Sequence, residues 1–408
     1  MQGDSMKNTR WMKAGAASGL VLTLALAGCA GGGGDTEGGD AEGGANKTLI
    51  VGSSVPKTGP VAAAGIGQAC GVEAYFDAVN KAGGINGYDI EVVTKDNQYE
   101  GQAAATVAQE LVAEGAVAIY AGGTIPIDGA RGATQAAGIP LVGAGDGAAF
   151  TPPKAPGEFT TYPRYQDDMA TAIDFFLNDL DLKSVSAVLA LGAGDTSIEA
   201  FPEVVEESGA EMGALVQLNL RDPQWAAWAK QLKDAGADAV YVQHVDSTLA
   251  QLQKEAANIG YSPVWLLPPF GFGPGYIELA GELSEGTYVS QWASPSTATD
   301  EEAVKKFVED VEGYSDECAA IVNDANVGTG YNHAAVIAYG IEKASEDGEP
   351  TGETIAAALQ DVDGEAIGTA PSLTFTDDSH AGTTSISFGQ VKDGVLEQAG
   401  DWREIVAG

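Results

Sequence analysis

The sequence predicts an α/β protein built as two Rossmann-like parallel-sheet lobes joined by a three-segment hinge. Three observations lead there. Short β-branched apolar runs alternate with segments of helical period, the pattern of parallel sheets covered on both faces by right-handed crossovers. The alternation is interrupted by an extended polar stretch around 159–165 and then restarts. A chain of 408 residues also exceeds one core and suits two lobes of roughly 100–200 residues each.

The elements follow in order. Thr48–Val55 reads as a strand, broken by Pro56, Gly59 and Pro60. Gly65–Lys81 carries Val72, Phe76 and Val79 at helical spacing and stops at Gly83-Gly84. Asp89–Lys95 is a strand, Gln102–Glu114 a helix, Val117–Ala121 a strand, Asp128–Ala137 a helix and Pro140–Ala144 a strand. After the crossing, Met169–Asn178, Ile198–Glu207, Trp225–Ala235 and Leu249–Ile259 read as helices. Between them Val185–Leu191, Ala214–Leu218, Ala239–Val242 and Val264–Leu267 read as strands. The chain is expected to cross back after Gly286–Ser290. Glu301–Gly313 and Asn332–Ser345 are then helices, with Tyr331 and His333 at the start of the second in a packing role. Ser372–Phe375 and Ile386–Glu397 are strands, the latter folded at a Lys392-Asp393-Gly394 turn.

The N-terminus sets an address. Lys7, Arg10 and Lys13 precede an apolar run from Ala14 to Ala27, which at about 14 residues is short for a bilayer span. Leu26-Ala27-Gly28-Cys29 follows and resembles the bacterial lipobox, in which the cysteine is acylated and becomes the new terminus. The Gly- and acid-rich stretch to about residue 47 has little to bury and reads as a tether. The expected division is therefore 1–28 signal peptide, 29–47 lipidated Cys29 and tether, 48–162 with 292–371 for one lobe, and 163–291 with 372–408 for the other. The expected location is the extracytoplasmic face of the cell membrane, held by lipid. The 58 acidic against 20 basic residues give a net charge of −38, which repels nucleic acid and argues against a polynucleotide partner. Besides Cys29 there are Cys70 and Cys318, either bridged in an oxidising compartment or buried as small hydrophobes.

Four stretches stand out: Lys57-Thr58-Gly59-Pro60-Val61-Ala62, Val79-Asn80-Lys81-Ala82-Gly83-Gly84-Ile85-Asn86-Gly87, Lys95-Asp96-Asn97-Gln98, and Ala136-Ala137-Gly138-Ile139-Pro140-Leu141-Val142. Together they resemble the Leu/Ile/Val-binding family, the solute-binding proteins of branched-chain amino-acid and amide ABC transporters with a type I periplasmic binding fold. The likeness runs from about Thr48 to Tyr339. It implies binding of a small polar molecule between the lobes, a permease and an ATPase as partners, a monomer, and neither cofactor nor metal.

In open parallel sheets ligands sit beyond the carboxyl ends of strands, where loops enter helix N-termini. Gly122-Gly123-Thr124 and Gly145-Asp146-Gly147 occupy such loops in the first lobe. The resemblance implies that Thr124 holds an amino acid's carboxylate, and that Asp146 or Gly147 stands where relatives have a threonine. An ionised Asp146 facing the cleft would repel a carboxylate and attract an amine or hydroxyl; alternatively it caps its own loop. Ala64 lies near the position of the family's tryptophan. In the second lobe the candidates are Thr196, beside Asp195; His244 and Asp246, ahead of a helix capped by Ser247, which either bind ligand or cap the helix start and orient each other; and Phe270 or Phe272, either lining the cleft or packed in the core. The family's ammonium-binding glutamate near Pro269 is absent. A sensor built on the same fold is the second reading. A hydrolase is the third, without a G-x-S-x-G, H-E-x-x-H, P-loop or Cys–His motif to carry it.

Overall fold

A computed structural model describes residues 46–192, 194–219 and 222–408. The expected signal peptide and lipidation at Cys29, and the tether up to residue 45, lie outside the described residues. The chain runs β1 (Lys47–Val55), α1 (Ala62–Lys81), β2 (Tyr88–Asp96), α2 (Gly101–Ala113), β3 (Ala116–Gly122), α3 (Thr124–Ala137), β4 (Leu141–Ala144) and β5 (Glu158–Phe159). It continues as α4 (Tyr165–Asn178), β6 (Ser184–Ala190), α5 (Asp195–Ser208), β7 (Glu211–Leu218), α6 (Trp225–Ala235), β8 (Ala239–Gln243), α7 (Asp246–Asn258), β9 (Val264–Leu267), α8 (Pro274–Ala280) and β10 (Tyr288–Gln291). It ends with α9 (Glu302–Glu312), α10 (Asp316–Ala319), α11 (Ala325–Glu346), α12 (Gly352–Gln360), β11 (Asp363–Ile367), β12 (Ala370–Thr374), β13 (Ser385–Lys392), β14 (Val395–Gln398) and β15 (Arg403–Glu404).

The strands form two main sheets. The first has the order β2-β1-β3-β4-β5, all parallel. The second has the order β14-β13-β10-β9-β8-β6-β7, parallel except where β13 meets β10 and β14. Both repeat one winding: β7-β6-β8-β9-β10 is the same order as β2-β1-β3-β4-β5. The first sheet is apolar on both faces, with Val72 and Phe76 of α1 on one side and Leu111 of α2 with Ile127 of α3 on the other, all buried.

The chain passes between the two sheets three times: after β5, after β10 and between β12 and β13. The first and third crossings bond to each other: Thr160 N donates to His380 O at 3.0 Å and Gly382 N to Thr160 O at 2.8 Å. The second is tied to the β11–β12 turn, Ser294 N donating to Thr369 O at 2.9 Å. Helix α11 lies against α1 so closely that a Cβ on Gly71 would come within 2.0 Å of Val327 O, and one on Gly330 within 2.0 Å of Gln68 O. Only glycine permits that approach. Cys70 of α1 and Cys318 of α10 are disulfide-bonded with their Cα atoms 5.6 Å apart. Among the described residues no helix is long and apolar enough to cross a membrane.

Three expectations are corrected. The helix expected from Asn332 begins at Ala325, so Tyr331 and His333 lie well inside it. Its Gly328 and Gly330 weaken local helix propensity, and packing on α1 overrides that. The helix expected from Met169 begins at Tyr165 after Pro163, with Asp167 and Asp168 in a first turn whose dipole favours them. Ser247 is not the cap of α7: the N-cap is Val245, and Asp246 opens the helix.

Candidate functional site

Strand order reverses between β1 and β3 in the first sheet and between β6 and β8 in the second. These are the switch points where crevices open beyond the carboxyl ends of strands. The loop after β1 is set by Asp96 at the end of β2. Its carboxylate accepts from Thr58 Oγ1 at 2.6 Å, Lys57 N at 2.8 Å and Gln98 N at 2.9 Å. Partial desolvation raises its pKa, but these bonds outweigh it and the net shift is downward. Two of the family-like stretches thus meet in one hydrogen-bonded corner. The next residue, Asn97, turns the chain by accepting from Tyr99 N at 2.9 Å.

Tyr99 closes over Gly123. A Cβ there would lie 2.4 Å from Tyr99 Cε2, and its φ of 106° favours glycine. The other cleft glycines are likewise occupied by protein. A Cβ on Gly122 would meet Gln68 Oε1 at 2.1 Å, one on Gly145 would meet Thr124 N at 3.0 Å, and one on Gly147 would meet Pro163 C at 2.5 Å. In this arrangement the glycines admit neighbouring side chains and backbone, where the sequence had suggested room for a ligand.

Thr124 is the first residue of α3, and its Oγ1 accepts from Asp146 N at 3.1 Å. Asp146 is 4 % exposed. Its Oδ1 accepts from Ala148 N at 3.0 Å, capping the short 3-10 turn Gly147–Phe150, and from Tyr165 N at 2.9 Å. Its Oδ2 accepts from Thr196 Oγ1 at 2.6 Å. Burial raises the Asp146 pKa, opposed by the Thr196, Tyr165 and Ala148 bonds and by the Arg164 charge. Asp146 therefore caps its loop and also reaches across to α5. Capping, one of the two readings of this residue, accounts for Oδ1, which also accepts from Tyr165 N of α4, while Oδ2 faces a hydroxyl donor of the protein itself, Thr196 of α5.

On the second lobe, His244 Nδ1 lies 2.8 Å from Thr248 Oγ1, which ties the ring to the first turn of α7. Burial lowers its pKa to about 4. Asp246 opens the same helix; its side chain lies outside what the structure describes. Phe270 sits in the 3-10 turn Pro269–Gly271, beside His244, whose carbonyl oxygen would be 2.5 Å from a Cβ on Gly271. Its ring centroid is 5.6 Å from Tyr165, 5.9 Å from Trp292 and 6.4 Å from Tyr162. His333, on α11, is fully buried between Thr329 O at 2.8 Å and Gly143 O at 3.0 Å, a packing position.

The structure thus joins Gly123, Thr124, Gly145, Asp146 and Gly147 to Thr196, and through Tyr165 to Phe270. His244 adjoins Phe270, and Gly122 adjoins Gln68. Sequence reasoning missed the aromatic wall of Tyr99, Tyr162, Tyr165 and Trp292. It also missed Gln68 and Gln243, at the carboxyl ends of β3 and β8, whose buried Oε1 atoms have no hydrogen-bond partner. Gln68 was legible as the one polar side chain in the otherwise small and apolar stretch Ala62–Val72 of α1. Among the described residues no cluster of three His, Cys, Asp or Glu side chains is placed to hold a metal.

Two α/β lobes wound alike and meeting at their switch points define the bilobal binding proteins. The chain belongs to the periplasmic binding protein family, with the type I fold of its Leu/Ile/Val-binding members; the family profile matches residues 48–395. It is 26 % identical over 325 residues to a leucine-, isoleucine-, valine-, threonine- and alanine-binding protein of Pseudomonas aeruginosa, covering 77 % of this chain and 82 % of that one. It is 23 % identical over 354 residues to a Leu/Ile/Val-binding protein homolog 3 of Brucella melitensis, covering 85 % and 92 %. A branched-chain amino-acid ABC transporter protein from Thermus thermophilus, solved with bound valine, superposes with a TM-score of 0.78 at 19 % identity, covering 88 % of this chain and 97 % of that one.

Proposed function

We propose that this chain is the extracytoplasmic solute-binding component of an ABC importer, taking a small polar molecule between its lobes and presenting it to a permease–ATPase pair. The observation that carries the reading is the Thr196-to-Asp146 hydrogen bond, which links the carboxyl end of one sheet to that of the other at 2.6 Å. A fold whose lobes bond directly at the switch points has a closed state that a ligand can select by touching both. The relatives are solute-binding proteins, which agrees with a binding role in place of catalysis.

The unpaired groups bear on the class of ligand. Gln68 Oε1, Gln243 Oε1 and Asn326 Oδ1 are buried acceptors, and Asp146 adds negative charge where the resembled family places a hydroxyl for carboxylate. Buried acceptors call for donors. The ligand we infer is a neutral or cationic solute rich in N–H or O–H groups, such as an amide, an amine or an amino acid held by its ammonium. The sheet memberships support lobes of 48–162 with 292–371 and of 163–291 with 372–408, except that β12 keeps 372–374 with β11, ahead of the third crossing. The Leu26-Ala27-Gly28-Cys29 stretch supports a lipid anchor, and the Cys70–Cys318 bridge agrees with an oxidising compartment. We take the protein to act as a monomer.

A melting-temperature screen over amides, amines, polyols, amino acids and small acids tests this, because a ligand that binds only the folded state raises the midpoint. Stabilisation by a donor-rich solute recovered unchanged by mass spectrometry is the expected result. Stabilisation by carboxylic acids alone would remove the donor-rich assignment, and turnover of the solute would remove the binding-protein reading.

A further inference from the structure

A cavity of about 440 Å³ opens behind the aromatic wall of the candidate site, between the second crossing, α8 and the start of α11. It adjoins that site at two places. Tyr162 and Trp292, whose rings pack with Phe270, also line the cavity. Phe272, the other phenylalanine that the sequence offered for the cleft, stands with Gly273 and Asp324 between the cavity and a gap of about 20 Å³. Pro60 and Ala64 line that gap from one lobe and Val245 from the other, and it has room for about one water. The cleft glycines are filled by protein as well, so the volume next to the site lies behind the aromatic wall.

Phe272, Ile277, Val289, Phe307 and Leu396 give this space apolar walls. Polar side chains along it pair within the protein. Tyr162 Oη lies 3.2 Å from Thr329 Oγ1, Thr161 Oγ1 lies 3.3 Å from His333 Nε2, and Asn332 Nδ2 donates to Thr369 Oγ1 at 3.1 Å. A guest therefore gains by covering apolar surface and not by new hydrogen bonds. The two charged lining residues, Glu278 and Asp324, are acidic, which disfavours a carboxylate there. An apolar cavity of about 150 Å³ takes one benzene, so this one takes an apolar group about three times as large.

We propose that the solute taken by the cleft carries an apolar tail, and that the tail occupies this cavity while the donor-bearing end stays between the lobes. On the binding role already proposed, the class of solute narrows to an amphipathic amide or amine. The cavity is then the tail half of one binding site, and its volume agrees with ligand pockets of about 300–1,000 Å³ that are mostly apolar with a few placed polar groups.

The test is a calorimetric titration of the full chain with straight-chain primary amides, from acetamide to octanamide. The dissociation constant should fall about fourfold for each methylene that enters the cavity. Gly328 lines the cavity, and a Cβ there meets nothing nearer than Phe307 Cζ at 3.9 Å. Gly328→Leu should therefore flatten the series and leave the short amides as they were, and Gly328→Ala should flatten it less. Replacing a helical glycine favours folding, so both variants should keep their melting temperature. Thr196→Val should weaken short and long amides by the same factor, because it acts on the end held in the cleft. A flat series with the unaltered chain, or a slope unchanged in Gly328→Leu, overturns the tail site and leaves the cleft reading in place. A slope with no loss of affinity in Thr196→Val overturns the bridging of cleft and cavity. If no amide binds while another donor-rich solute raises the melting temperature, the amphipathic class is overturned; if no solute of any kind binds, the cleft reading fails and the tail site with it.

Discussion

The Thr196 hydroxyl donates to the buried carboxylate of Asp146 at 2.6 Å, and the two residues belong to opposite lobes, 50 positions apart in sequence. Neutral-to-charged hydrogen bonds contribute about 1.5–3 kcal/mol, enough to matter in an open–closed equilibrium that spans a few kcal/mol. Thr196→Val keeps the shape of the side chain and removes the donor. It should shift the ligand-free protein toward the open form, seen as a larger radius of gyration in small-angle scattering, and weaken ligand binding by about tenfold or more. An unchanged radius and affinity would show that the bond does not hold the lobes. Asp146→Ala is a less clean probe, because it also strips acceptors from Ala148 N and Tyr165 N and should cost stability as well.

The sequence made the frame legible where one residue type has one physical use. Gly84, Asn86 and Gly87 have φ of 79°, 47° and 87°, conformations that glycine and asparagine tolerate best, so the turn after α1 could be read directly. The loops carrying Thr124 and Asp146 followed from strand–helix alternation alone. The partners within the site did not. Tyr162, Tyr165 and Trp292 come from crossings with no periodic pattern, and their contacts with Phe270 depend on how the lobes meet. The first turns of α11, with Gly328 and Gly330, read as loop because their helicity comes from tertiary packing against α1. His244 was read as a partner for Asp246, whereas its ring bonds Thr248 one turn along α7.

The Cys70–Cys318 bridge closes a separation of 248 residues and ties α1 to α10. Long closures remove much of the entropy of the unfolded chain, and losing a native disulfide costs about 2–5 kcal/mol. Cys70→Ala with Cys318→Ala should lower the urea midpoint accordingly, and dithiothreitol should lower the midpoint of the unaltered chain but leave the double variant where it is. Equal midpoints with and without reductant would show that the bridge is not formed in solution.

His244 and His333 are both lowered to about 4 by burial, against an ordinary 6.5. The unfolded chain therefore takes up protons that the folded one does not between those values. Their contribution to stability is present above about pH 6.5 and is lost as pH falls toward 4. In a proton NMR titration of this chain's three histidines, the ring resonances of these two should hold their neutral positions at pH 5.5. Resonances of all three moving together with a midpoint near 6.5 would show that the rings are solvated.

Asp168 tests the opposite sign. It is fully buried on α4 and accepts from Tyr241 Oη at 2.6 Å and from Trp292 Nε1 at 2.7 Å, joining α4 to β8 and to the second crossing. Burial raises its pKa above the ordinary 3.8, and the bonds from Tyr241 and Trp292 oppose that without cancelling it. A carboxyl raised in the folded state stabilises most below pH 3.8, and that contribution is lost as pH rises through the folded value. Asp168→Asn keeps an oxygen for Trp292 and a nitrogen that can donate to the Tyr241 hydroxyl, and it carries no charge to desolvate. Relative to the unaltered chain, its stability should therefore rise between pH 3.8 and pH 7 in urea unfolding. Asp168→Ala leaves two buried donors unpaired and should lose about 2–5 kcal/mol at both pH values. If the Asn variant instead falls further behind at pH 7, the ionised carboxylate is stabilised by its two donors more than burial penalises it, and the assigned direction is wrong.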